Sequence, residues 1–242
     1  MTIGSAYGTW QGREGSCCED RVYWEVLRDV CLVDFPGTVR TDTVPSLMPK
    51  LKASGAKVFA ARDNAHCHIL PLVWDGVSPV IHVDDHPDIF GGRAESSKGY
   101  LGLCGSFDYC SHVSYAGERR DVFWVYSTLD SEEQHPNEQL GLIHFSPSGK
   151  CERGRSIIRA RYKGAMPLED IVGYIKAHSR GSYHLHVDTD FFSDGPHNAI
   201  DSRGQMDIGE FCNFIPNFEI SAMSVASDDI LTIEALRESV GL

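Results

Sequence analysis

Apolar runs of strand length recur along the chain, with polar and glycine-rich segments between them. Short runs rich in valine, isoleucine and aromatic residues, bounded by Gly, Pro, Asp or Ser, are typical of buried strands. The segment from 23 to 33 is aromatic and aliphatic and ends before Pro36, and no particular element is assigned to it. Strands are predicted over 57–61, 79–83, 121–127, 140–145, 157–162, 182–187 and 218–225.

Helical patterns fall between these runs. The clearest helix is predicted over 167–178, where a proline opens the first turn and Glu169 and Asp170 follow it. Further helices are predicted over 44–53, 68–74, 207–214 and 230–240. Strands that alternate with helices indicate an α/β fold with a mostly parallel sheet flanked by helices. Because no repeat or low-complexity linker divides the chain, we expect a single domain over 1–242.

The charge balance narrows the classes of partner. The 242 residues include 22 Lys and Arg against 34 Asp and Glu, a net charge of -12, which argues against nucleic acid as a partner. An acidic surface instead suits cationic ligands or metal ions. No apolar stretch reaches the roughly 18 residues of a membrane helix. Since no signal-like apolar core opens the chain either, we expect a cytoplasmic protein with reduced cysteines and no membrane partner.

Ligand-type side chains follow two of the predicted strands. Asp84, His86 and Asp88 lie two residues apart after one strand, and Asp188 and Asp190 follow another. Side chains two apart on an extended chain share a face, and strand ends of a parallel sheet meet at one edge. Carboxylates gathered at one edge repel each other unless a cation lies between them. The pattern favours a Mn, Mg or Fe site; the alternative is that these acids are caps and solvated loop residues.

A third strand end offers a histidine ligand. The segment after the predicted strand 57–61 contains His66 and His68. Either ring could complete the metal site, and His66 is preferred because it lies nearer the strand end.

These residues resemble the motifs of a known family. Asp84-x-His86-x-Asp88 is similar to the Asp-x-His-x-Asp motif of the arginase family of ureohydrolases, and Asp188-x-Asp190 to its later Asp-x-Asp motif. The local sequences around His66, at 82–88 and at 188–192 are most similar to those of the peptide arginases. These enzymes convert arginine side chains of a ribosomal precursor peptide to ornithine. The resemblance implies a three-layer arginase/deacetylase-like α/β fold, with an Arg-containing precursor peptide and its leader as partner.

The resemblance also implies a metal centre. Two manganese ions would be bridged by Asp84 and Asp188. The implied ligands are His66, Asp84, His86, Asp88, Asp188 and Asp190. Asp88 would also orient the attacking water and help to pass a proton to the leaving amine.

The resemblance assigns the proton-shuttle and substrate-binding residues less specifically than it assigns the metal ligands. His112 is a candidate shuttle in the Gly/Ser-rich region. The guanidinium needs an acidic partner, since a buried cation must be paired. The candidates for that substrate-binding role are Asp194, Glu219, Asp228 and Asp229. The Asn and Ser loop that grips the α-groups of free arginine is not found, which fits a substrate whose α-groups lie in peptide bonds.

Three other functions remain open from the sequence. A hydrolase of free arginine or agmatine would use the same metal chemistry. A deacetylase-like amide hydrolase typically carries one zinc ion and a His-His pair, and no such pair occurs here. A metal-binding or regulatory protein with a decayed site would not need the full ligand set. The sequence leaves the oligomeric state open, a homo-oligomer included.

Overall fold

The computed structural model describes residues 23–27, 30–34, 53, 55–61, 78–84, 121–127, 140–152, 155–192, 206–227 and 229–242. In these residues nine strands form one sheet. The strands are β1 (Tyr23–Leu27), β2 (Val30–Asp34), β3 (Val58–Ala61), β4 (Val80–Val83), β5 (Val122–Ser127), β6 (Leu140–Glu152), β7 (Arg155–Met166), β8 (Tyr183–Asp188) and β9 (Ile220–Ala226). The described helices are α1 (Leu168–His178), α2 (Ile208–Phe214) and α3 (Ile230–Ser239), with 3-10 turns at Thr189–Phe191 and Ile215–Asn217.

The sheet is mixed and mostly parallel. Its strand order is β1-β2-β3-β9-β8-β4-β5-β6-β7. The six strands from β2 to β5 in this order pair in parallel. Antiparallel pairs occur at each margin: β1 with β2 at one, and β5 with β6 and β6 with β7 at the other. The prediction of an α/β fold with a mostly parallel sheet is confirmed. The carboxyl ends of β4, β8 and β9 therefore lie at one edge.

One face of the sheet carries the larger core. Alternate residues of β4, β8 and β9, such as Val83, Val187 and Val225, point to this face and are fully buried. The described helices pack here through fully or almost fully buried side chains, which include Ile171, Ile175, Phe211, Phe214, Ile233 and Leu236. Helices on the opposite face remain a prediction, because the predicted helices 44–53 and 68–74 fall outside the described residues except at Ala53.

Several boundaries differ from the sequence-based prediction. The aromatic and aliphatic run from 23 to 33, to which no element was assigned, contains β1 and most of β2. The strands β6 and β7 extend beyond the predicted 140–145 and 157–162 because they pair with each other past the end of β5, as far as Glu152 opposite Arg155. This mutual pairing satisfies backbone groups where the side chains give no apolar signal. Within the described part of the chain, no helix is long and apolar enough to cross a membrane.

Candidate functional site

Two buried carboxylates lie side by side at the carboxyl ends of β4 and β8. Val83 pairs with Val187 in the parallel ladder, so the residues that follow them, Asp84 and Asp188, are neighbours across the sheet. Neighbouring strands are about 4.8 Å apart, and residues in register share a face. Asp84 is fully buried and Asp188 is 8% exposed. The chain thus brings together two acids that are more than 100 residues apart in sequence.

The backbone at both acids is fixed by hydrogen bonds to the adjoining strands. The Asp84 amide donates to the Val125 carbonyl at 3.2 Å, and the Trp124 indole N–H donates to the Asp84 carbonyl at 2.7 Å. The hydroxyl of Thr189, the residue after Asp188, donates to the Ala226 carbonyl at 2.8 Å. Because these atoms are buried, the hydrogen bonds hold the backbone of both acids in a well-defined position.

Three buried histidines lie behind the carboxylates on the same face of the sheet. His82 is in register with His186, and their rings stack at 4.9 Å between centroids. The Nε2 atom of His82 is 3.4 Å from the nearer oxygen of Asp84. The Ser224 hydroxyl contacts Nε2 of His184 at 3.0 Å and Nδ1 of His186 at 2.8 Å. Since one hydroxyl has one proton to donate, the tautomers of these two rings are coupled through it.

This polar cluster was not predicted as part of the site, although the sequence contained a signal for it. His82-Val83-Asp84 and His186-Val187-Asp188 are the same tripeptide, and each lies at a strand end. In a strand the histidine of such a tripeptide must share a face with the aspartate. Ser224 had no comparable signal, because its role depends on β9 lying beside β8.

The donor set fits part of a divalent metal site. An ionised carboxylate is costly to bury without a compensating charge or hydrogen bonds, and two adjacent ones are costlier. Carboxylate and imidazole donors are the types that manganese takes. Within the described residues, no group of three His, Cys, Asp or Glu side chains is arranged to hold a metal ion. Of the predicted ligands, His66, His86 and Asp88 lie outside those residues.

Asp190 follows a change of backbone conformation. The chain enters the 3-10 turn Thr189–Phe191 directly after Asp188. The turn is held by the fully buried side chains of Phe191 and Phe192. The alternation of an extended strand therefore stops at Asp188, and a spacing of two no longer implies a shared face. The side chain of Asp190 is outside the described part of the structure.

The predicted substrate acids separate into different places. Asp229 lies at the same edge as the carboxylate pair, but its two oxygens accept hydrogen bonds from the amides of Leu231 and Thr232 and from the Thr232 hydroxyl, so it caps α3. Glu219 is exposed at the amino end of β9, about 20 Å along the strand from that edge. Glu219 is therefore too distant to bind a group held at the carboxylates. Asp194, Asp228 and the candidate shuttle His112 lie outside the described residues.

A buried carboxylate pair backed by imidazoles can bind a divalent cation or exchange protons with a bound group. Comparison with protein-family models, with curated proteins and with solved structures finds no match to the chain. Function must therefore be inferred from the residues themselves.

Proposed function

We propose that the protein is a manganese-dependent hydrolase that converts arginine side chains of a precursor peptide to ornithine and releases urea. The proposed fold is the three-layer arginase/deacetylase-like arrangement, and the proposed partner is an Arg-containing peptide with its leader. The observation that carries the proposal is the pair Asp84 and Asp188, buried side by side at the carboxyl edge of a parallel sheet. Ligands of open α/β sheets bind at this edge.

The proposed metal ligands are two described carboxylates and four further residues. Asp84 and Asp188 would hold the ions together with His66, His86, Asp88 and Asp190. Manganese bound here supplies activation of a water molecule and polarisation of the guanidinium group. The fixed backbone at Asp84 and the buried His82 beside its carboxylate support a preorganised position for that ligand.

The reaction balances with water as the only co-reactant. The water oxygen forms a bond to the guanidinium carbon, the bond from that carbon to the side-chain nitrogen breaks, and urea leaves. The freed nitrogen takes a proton and becomes the ammonium group of ornithine. In the proposal Asp88 orients the water and helps to move this proton, and His112 exchanges it with solvent.

One feature favours a peptide over free arginine. The sequence contains no recognisable loop for the α-amino and α-carboxylate groups. The net charge of -12 attracts the guanidinium cation in either substrate and does not discriminate between them. Because Asp229 is engaged as a helix cap, the acidic partner of the guanidinium is proposed to be Asp194 or Asp228.

Metal analysis and product analysis test the proposal together. The purified protein is expected to bind about two manganese ions per chain, and an Arg-containing peptide should lose one carbon, two nitrogens and two hydrogens per processed arginine. Asp84→Asn and Asp188→Asn should each lower urea formation at least about 100-fold, equivalent to roughly 2.7 kcal/mol. Manganese affinity measured by calorimetry should fall in the same two variants.

The control is Asp170→Asn, an exposed acid in the first turn of α1, which should keep metal content and activity. A wild-type protein that binds no divalent metal and releases no urea from any guanidino compound would contradict the proposal. Free arginine or agmatine hydrolysed as fast as the peptide would instead support the small-molecule function while leaving the metal chemistry in place.

A further inference from the structure

The Asp84 backbone lies at the point where the pairing of β4 with β5 ends. The parallel ladder of these strands runs as far as Val83 opposite Val125, and the Asp84 amide still donates to the Val125 carbonyl. The Asp84 carbonyl accepts from a side chain, the indole N–H of Trp124. A buried carbonyl needs a hydrogen-bond partner, and this bond supplies one at the end of the strand. Asp84 is thus held by β5 at both its amide and its carbonyl, directly before the segment 85–88, which contains two of the proposed metal ligands.

The indole of Trp124 is confined by its neighbours. Trp124 is buried and lies in register with His82 on β4 and with Ile143 on β6. Its ring packs on the ring of Tyr126, with 4.7 Å between the centroids and 35° between the planes. An indole has a single N–H that can only donate, so a buried indole with fixed packing directs its hydrogen bond to one place. That place is the Asp84 carbonyl, at 2.7 Å.

A glycine on β6 makes room for the Tyr126 ring. Gly141 is in register with Tyr126, and a Cβ atom at Gly141 would overlap the outer part of that ring. The ring therefore lies over β6, in the space that the missing side chain leaves. Gly141 is not among the described glycines with a positive φ, so its backbone conformation does not require glycine. The space above it does.

These contacts form a continuous support that ends at one carboxylate of the buried pair. The space at Gly141 admits the Tyr126 ring, and this ring packs on the Trp124 indole. The indole in turn holds the Asp84 carbonyl. Because packed side chains transmit a displacement to their neighbours, a change at Gly141 should reach Asp84. The two residues lie two strands apart, a separation of about 10 Å.

We propose that Trp124 is a positioning residue, whose indole holds the end of β4 where Asp84 can bind the metal. Gly141 keeps the indole in place through the Tyr126 ring. The inference rests on the proposed function, since it takes Asp84 as a manganese ligand. Groups that orient metal ligands are worth about 10- to 100-fold in metal affinity. A ligand that is already in position also loses less entropy when the metal binds.

Manganese binding measured without turnover tests the role of Trp124. Trp124→Phe keeps an aromatic ring but has no N–H to donate. In calorimetry its Kd for manganese should be at least about 10-fold higher than that of the wild type. With manganese in excess, its kcat for urea release from the peptide should fall because the metal ligands are less well placed. The KM for the peptide should stay the same, because Trp124 is buried beneath the site.

Gly141→Ala tests the more distant part of the support. Its methyl group must displace the Tyr126 ring, so the Kd for manganese should rise and the Trp124 indole N–H should exchange faster with deuterated solvent in NMR spectra. In a Tyr126→Ala background the ring is absent, and Gly141→Ala should then change the Kd no further. The matched control is Gly173→Ala, an exposed position on α1 where an added Cβ meets no described atom outside its own helix within 4 Å. This control should keep the wild-type Kd and exchange rate.

The outcomes distinguish the positioning role from the proposed function. If urea is released and Trp124→Phe binds manganese as tightly as the wild type does, the positioning role is rejected and the hydrolase stands. If Trp124→Phe loses affinity but the wild type releases no urea from any guanidino compound, the hydrolase is rejected and the positioning role at a metal site stands. An unchanged Kd in Gly141→Ala would remove Gly141 from the proposal. A wild-type protein that binds no divalent metal would overturn both.

Discussion

Ser224 links two of the buried imidazoles. Its hydroxyl on β9 contacts both His184 and His186 of β8, and all three side chains are buried. Such an internal link between strands both satisfies polar groups and restricts ring orientation. The histidine behind Asp188 is therefore positioned by a residue 38 positions further along the chain.

Ser224→Ala should lower the free energy of unfolding by about 1–3 kcal/mol, because two buried imidazoles lose this hydrogen-bond partner. Urea unfolding followed by circular dichroism measures the change. Ser221→Ala on the same strand is the matched control: among the described residues its half-buried hydroxyl donates to one carbonyl, that of Tyr183, so its cost should be smaller. Equal costs for the two variants would mean that the link between the histidines contributes nothing of its own.

At the scale of elements, the start of α3 decides how Asp229 is interpreted. Its position in the sequence led to the prediction that it binds the substrate. In the structure it is the N-cap of a helix that begins beside the carboxylate edge. A cap satisfies amide donors that have no partner within the helix. The capping role explains the conformation of this aspartate without any ligand.

Two substitutions separate the roles of Asp229. Asparagine can cap a helix almost as well as aspartate, so Asp229→Asn should keep both stability and urea release. Asp229→Ala should cost about 1 kcal/mol of unfolding free energy, measured by urea denaturation. A large fall in peptide kcat/KM in Asp229→Asn, with stability unchanged, would return this residue to the substrate site.

At the scale of the whole molecule, two tyrosines link stability to alkaline pH. Burial is the main cause that raises the pKa of both Tyr126 and Tyr183 above the ordinary 10.0. The unfolded chain therefore loses these protons at a lower pH than the folded protein does. Their contribution to stability is complete below pH 10 and is lost as the pH rises through the folded-state values.

We expect the free energy of unfolding to fall as the pH rises above about 10, and to fall less steeply in a Tyr126→Phe, Tyr183→Phe double variant. Urea denaturation at several pH values gives both slopes. Because lysines and cysteines also titrate in this range, the difference between the two proteins is the relevant quantity. Parallel slopes would show that neither phenol is linked to folding.

The local pattern of apolar and polar residues was sufficient to predict the central strands and the first described helix. The apolar runs at 79–83 and 182–187 predicted β4 and β8, and the proline, acids and periodicity at 167–178 predicted α1. These features depend on neighbouring residues, since side-chain period and helix-end preferences are local properties. The same locality explains why the His-Val-Asp tripeptides could be seen at two strand ends.

The tertiary structure alone decided which strands adjoin and in what register. Only the pairing of β4 with β8 makes Asp84 and Asp188 neighbours, and only the pairing of β8 with β9 brings Ser224 to the histidines. The direction of β9 puts Glu219 and Asp229 at opposite edges, although they are ten residues apart in sequence. Strand order and register follow from contacts between distant segments and from the burial of whole faces. No local pattern contains that information, so the sequence by itself determined the side chains available at the site, and the sheet determined which of them meet.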